Sequence, residues 1–166
     1  TKNATLIGLN HDGQNTATFM IIEGIGKHRY NPTNESNPNG VNIGGWEASE
    51  MRAWLNNDIF NSMIDNKQYI KSVTKYTNNV GSWHNGVTAT EDQLFLLSIK
   101  EAGLDWQLNH PDYYNEFAFM ETINNEGAKY EYFNDHKYKM TQASWLRSIW
   151  PKNDGCIFFS VYDKLN

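Results

Sequence analysis

Short apolar runs with two different rhythms divide this chain. Residues 4–9 (ATLIGL) and 16–23 (TATFMIIE) are compact apolar runs bounded by polar residues, and both predict strands. The NHDGQN between them holds an Asp-Gly turn signal, so a β-hairpin is expected. Residues 24–45 are polar, with Pro32, Pro38 and several Asn, and predict one long loop. The rhythm then changes. Met51, Leu55, Ile59 and Met63 recur every four residues with Trp54 beside them, which is one stripe of an amphipathic helix ending near residues 61–65. Ser49 is placed to cap it, with Glu50 in its first turn.

Residues 69–77 (YIKSVTKYT) alternate imperfectly through Ile70, Val73 and Tyr76 and predict a strand, followed by a loop over 78–90. Residues 92–98 (DQLFLLS) form an apolar run that reads as a buried strand. Residues 104–127 have no clean period and are expected to wrap the surface. Residues 130–135 (YEYFND) suit a short helix or a strand. The last strands are 144–148 (SWLRS) and 156–162 (CIFFSVY), separated by a turn in IWPKNDG. There is no internal repeat and no linker. The fold class is α+β: one loop-rich domain over residues 1–166, a twisted antiparallel sheet and one main helix. The final run has no visible closing partner, so a terminal strand is expected to be missing.

Composition narrows the function. The chain has 166 residues, enough for one real core, and an aromatic fraction of 14% that excludes a disordered, charge-dominated chain. Mean hydropathy is −0.68, much of it from Asn clusters that favour ordered turns. Net charge is −5 and no Lys/Arg run occurs, which argues against nucleic acid as a partner. A single cysteine, Cys156, excludes an intrachain disulfide and multi-cysteine zinc motifs; it reads as a small buried residue. No apolar run approaches the roughly 20 residues of a membrane span, so no membrane insertion is expected. No leader is visible and Thr1 is not a start residue, as in a processed or trimmed chain.

Three motifs in order resemble a known family. They are Trp46, Ser49, Arg52, Trp54, Leu55 and Asn56; then Phe95, Leu96, Leu97, Ser98 and Glu101; then Trp145, Leu146, Arg147 and Ser148. Together they resemble domain of unknown function 6273, found in Gram-positive surface proteins and their phages. The family continues past its W-L-R-S strand to a further short strand near a proline, which this chain does not reach. The resemblance implies a C-type-lectin-like layout, and with it binding in place of catalysis.

Individual residues divide along the same line. Trp46 and Trp54 have faces suited to sugar rings, but their place on or beside the helix stripe favours core packing. Arg52 and Arg147 suit structural pairing, with Asp92 and Glu101 as partners that would fix the helix against the sheet. Asn153 and Asp154 echo a lectin calcium motif but read as a plain turn, since calcium needs six to eight oxygens. His11, His28, His84, His110 and His136 show no zinc spacing, and no nucleophile or phosphate-loop motif occurs. No metal and no cofactor are expected. The candidate ligand-binding residues are the loop aromatics Trp83, Trp106, Tyr113, Tyr114 and Trp150. The leading expectation is an extracellular, non-catalytic binding or adhesion module of a bacterial surface or virion protein, with a glycan or protein ligand. The alternatives are a structural spacer or assembly module, and a polysaccharide-acting enzyme with two facing carboxylates.

Overall fold

The computed structural model describes residues 2–31, 44–78, 87–104, 124–138, 140, 144–152 and 155–161. Strands β1 (Thr5–Leu9) and β2 (Ala17–Met20) form the expected hairpin, with an irregularity between Leu6 and Gly8. A single turn, α1 (Gly45–Ala48), leads into the main helix, α2, over residues 50–63. Then follow β3 (Val73–Asn78), β4 (Val87–Asp92), the one-turn α3 (Tyr132–Asp135), β5 (Ser144–Lys152) and β6 (Gly155–Val161). The chain is α+β. Among the described residues the strands pair as three separate antiparallel hairpins, β1–β2, β3–β4 and β5–β6, where the pattern had suggested one twisted sheet.

Helix α2 starts where its sequence says it should. Ser49 stays extended and its Oγ accepts the Arg52 N–H, so one of the orphan donors of the first turn is satisfied. Met51, Leu55 and Ile59 are buried, whereas Met63, the last residue of the stripe, is exposed because the helix ends there. The middle of the helix, Trp54–Ile59, is widened into a π-turn. Asn56 is the local cause. Its Nδ2 donates to the Arg52 carbonyl and also to Leu94 O, so a side chain enters the helical ladder. Its Oδ1 accepts the N–H groups of Gln93 and Leu94. All four hydrogen-bonding positions of this amide are filled.

Two apolar cores lie on either side of residues 94–97. One gathers Tyr30, Trp46, Met51, Leu55 and Ile59. The other gathers Ile7, Leu97, Ile99, Ala102, Tyr130, Phe133, Tyr138, Met140 and Leu146. Leu94 and Leu96 pack on the first, Leu97 belongs to the second, and Phe95 packs on both. That placement explains an apolar run with no polar face. Leu97 and Ser98 are buried and residues 93–96 half-buried, and beyond Asp92, the end of β4, the run is not a strand. Side chains do most of the work of a ladder here. Asn56 holds Gln93 and Leu94, Arg147 Nη1 holds Leu96 O, and Ser148 Oγ accepts from Ile99 N; Leu97 O receives a backbone donor from β5, Arg147 N, and Ser98 O one from the following turn, Ala102 N.

The β3–β4 hairpin reverses the expected facing. Residues 87–90 had read as loop but open β4, and the inward residues are Lys75, Thr77, Thr90 and Asp92. Tyr76, one of the apolar signals for the strand, is 46% exposed. The fold therefore buries the polar face of this hairpin, and that face builds the site described next.

Removing the Asn56 side chain strips the partners from four backbone groups at once. Asn56→Ala is expected to destabilise the domain by about 2–3 kcal/mol, given roughly 1 kcal/mol net per hydrogen bond lost and some groups regaining water. Urea unfolding measures it; a change under about 0.5 kcal/mol would mean that the 93–94 segment is held by its leucine packing alone.

Candidate functional site

Two polar clusters lie under the hairpin. The smaller centres on Asp92, whose side chain is fully buried. It accepts from Trp46 Nε1 at 2.8 Å, from Arg52 Nε at 2.6 Å and from Thr90 Oγ1 at 2.7 Å. Arg52 also donates to the carbonyls of Glu47 and Glu91. This cluster ties α1 and α2 to β4.

The larger cluster runs from β5 to the first hairpin. Arg147 is buried, and its guanidinium has five donors with five recipients. Nε donates to Thr77 Oγ1, Nη1 to Leu96 O and Glu101 Oε2, and Nη2 to the carbonyls of Tyr76 and Glu126. Ser98 and Glu101 form a reciprocal cap: Ser98 Oγ accepts Glu101 N, and Glu101 Oε2 accepts Ser98 N. Ser148 Oγ accepts from Ile99 N and donates to Glu126 Oε2. Glu101 Oε1 then accepts from Lys75 Nζ at 3.0 Å. Lys75 also donates to Asp12 Oδ1 at 2.5 Å and to Tyr130 Oη at 2.7 Å, and its ammonium lies 4.0 Å from the centre of the Phe95 ring. Asp12 Oδ2 accepts from the hydroxyls of Thr18, at 2.5 Å, and Tyr130, at 2.7 Å.

His11 closes the outer end. Its ring stacks on Tyr130 with centroids 3.8 Å apart. Nδ1 lies 3.2 Å from Asp12 Oδ1, and Nε2 lies 3.1 Å from the Ala128 carbonyl. Both neighbours are acceptors, so only the imidazolium satisfies both. Gly8 makes room for the arrangement, since a Cβ there would come within 2.7 Å of the Tyr130 ring.

The electrostatics follow from this pairing. Burial alone would favour a neutral Glu101, but the charge and hydrogen bonds of Arg147, with Lys75 behind them, hold its carboxyl below the usual range. Burial likewise opposes charge on Asp12, and the hydrogen bond from His11 and the charge of Lys75 outweigh it, so its pKa is well lowered. Burial works against a charged His11, yet its contact with Asp12 raises its pKa. Tyr130 is pushed up by burial and then by Glu101 and Asp12, and stays a hydroxyl donor.

The sequence motifs thus meet in space. Trp46 with Arg52, and Arg147 with Glu101, Ser98 and Ser148, occupy the two clusters, and the expected arginine–carboxylate pairs both form. Trp54 is half-buried and stacks on His28, and Trp145 is partly exposed, with Nε1 donating to His28 O. Trp83, Trp106, Tyr113 and Tyr114 lie outside the described residues, as do His84, His110, Asn153 and Asp154. Trp150 does not sit in a turn. It is in β5 opposite Ile157, because β5 runs through Pro151 to Lys152 and the connection is only residues 153–154. Sequence reasoning missed Asp12, Lys75, Tyr130 and Glu126. The signal available for Lys75 was its position, two residues from Thr77 on the same strand face. The S-x-x-E spacing of Ser98 and Glu101 could have announced their reciprocal cap. Among the described residues no group of three or more His, Cys, Asp or Glu is placed to hold a metal ion, and no helix is long and apolar enough to cross a membrane.

A family model described as Domain of unknown function (DUF6273) matches residues 17–164. No curated protein matches the chain, and no solved structure matches it.

Proposed function

We propose, for a chain that belongs to the DUF6273 family, a non-catalytic binding or adhesion module, extracellular, on a bacterial surface protein or phage tail, with a glycan or protein as ligand. The observation that carries this reading is a division of labour. The side chains best suited to chemistry are engaged with one another inside, while large apolar side chains stand on the surface. Lys75 sits between Asp12 and Glu101, where a glycosidase would need a water or a sugar ring. Outside, Leu6 faces Phe19 across the first hairpin, 42% and 60% exposed, and Tyr69 is 77% exposed. Exposed aromatic and apolar groups on a rigid frame suit recognition. The C-type-lectin-like layout belongs to this proposal, as do the aromatics Trp83, Trp106, Tyr113 and Tyr114, with Trp150 of β5, as the ligand face. A structural or assembly module is the second reading, favoured by the same apolar hairpin face.

A glycan-array screen of the purified chain, with calcium and again with chelator, separates these readings. Binding that Trp83→Ala or Tyr114→Ala abolishes by tenfold or more supports a lectin-like module; tenfold is about 1.4 kcal/mol, a modest demand for an aromatic anchor. Binding lost only with chelator brings Asn153 and Asp154 back as metal ligands. No binding in either condition, with self-association on gel filtration, favours the assembly module.

A further inference from the structure

Lys75 and Asp12 form a buried ion pair with other reactive groups close around it. Nζ lies 2.5 Å from Asp12 Oδ1, and both side chains are almost fully buried, at 2% and 5% exposure. Three further features surround the pair. A carboxylate, Glu101 Oε1, lies 3.0 Å from Nζ and can take a proton from it. Two hydroxyls, of Thr18 and Tyr130, donate to Oδ2, where negative charge develops if the carboxyl carbon is attacked. His11 Nδ1 stands 3.2 Å from Oδ1, the oxygen that would leave. A nucleophile, an electrophile, a base, an oxyanion site and an acid are held in one place, with the Phe95 ring beside the ammonium.

We propose that Lys75 and Asp12 condense into an intramolecular amide, with Glu101 as base and His11 as acid. Glu101 takes one proton from Nζ, and His11 gives one to Oδ1, which leaves a neutral amine beside a neutral carboxyl group. Nζ attacks Cγ, and the charge gathers on Oδ2 under the two hydroxyls. The Cγ–Oδ1 bond then breaks. Oδ1 leaves as water with a second proton from the nitrogen; Glu101 then releases its proton and the part-exposed His11 takes one up, so the count closes. Two protons leave Nζ and two depart on the water, with no oxidant and no cofactor. Asp12 is the electrophile and not Glu101, because Glu101 is the more distant and stays occupied by Arg147 and Ser98 N. The product removes one buried charge of each sign and leaves Glu101 paired with Arg147.

The bond joins positions 63 residues apart, the turn of the first hairpin and strand β3. It closes a long loop in a chain whose one cysteine cannot form an intrachain disulfide.

Mass spectrometry of the purified full-length chain tests this directly. The expected intact mass is one water below the sequence mass, in native and denatured samples alike. A protease digest then yields a branched peptide joining the segments that carry Asp12 and Lys75, and Lys75→Arg shows the full mass. A wild-type chain at full mass with the two peptides separate would overturn the proposal, and so would a branch at Glu101. A water loss confined to the peptide containing Asp12–Gly13 would also overturn it, since that is ring closure onto the Gly13 nitrogen. The wild-type measurement decides the matter even where the variant folds poorly.

Discussion

Arg147→Met is expected to destabilise the domain by about 3–5 kcal/mol, the range for removing one partner of a buried ion pair. The loss has two sources. Glu101 stays buried without the cation on its Oε2 side, and four other acceptors, on Thr77, Leu96, Tyr76 and Glu126, each lose one donor. Set against a typical stability of roughly 5–15 kcal/mol, such a loss leaves a marginal fold. Guanidinium chloride unfolding measures it. Arg147→Lys does not rescue, because an ammonium has three donors and no planar fork. The combination with Glu101→Leu is expected to recover part of the loss, since both charges then go together. A loss below about 1 kcal/mol for Arg147→Met would place water within reach of these acceptors and contradict the burial described above.

The second large effect is expected at Trp46. Trp46→Ala is expected to cost about 3–5 kcal/mol, the usual range for removing a fully packed aromatic side chain. Its indole is 1% exposed, meets Tyr30 edge-on, and donates to Asp92. Trp46→Phe separates packing from polarity. It keeps most of the apolar area and leaves Asp92 with two of its three side-chain donors, for an expected loss of roughly 1–3 kcal/mol. The two variants, compared by the same unfolding titration, should differ by at least about 1 kcal/mol. Equal losses would mean that the indole N–H, and not the ring, carries the contribution.

Much of this architecture was legible where local chemistry decides. The Asp-Gly turn gave the first hairpin, the four-residue stripe gave α2, and Ser49 marked its start. Arginines embedded in apolar motifs, with Asp92 and Glu101 available, pointed to the two ion pairs that form. Periodicity failed where side chains replace backbone ladders. Residues 93–98 looked like a strand because their apolar side chains pack on two cores, yet Asn56 and Arg147 supply many of their hydrogen bonds. The β3–β4 hairpin was misread for a related reason. Lys75 and Thr77 face inward because long-range partners await them there, and no local rule assigns a lysine to a core. The Asp-Gly pair and Pro151 predict a turn through IWPKNDG that would hold Trp150, but a proline is tolerated in β5 near the hairpin end. Asp12 read as a turn residue and is one, while its carboxylate also serves a cluster drawn from distant parts of the chain.

The five recipients of the Arg147 guanidinium also constrain the order in which the chain can fold. Its partners lie 71, 70, 51, 46 and 21 residues earlier in sequence. The cation can leave water only when β3, the 96–101 segment and Glu126 have already converged, since any earlier burial would strand its donors. Desolvation of this one side chain is therefore expected late, and a φ-value near zero for Arg147→Met is the result that places it after the main barrier to folding. Interactions formed so late do little to speed folding and chiefly slow its reversal. A domain built this way resists through persistence: once this arginine is seated, leaving the native state means breaking its contacts to three other stretches of chain together.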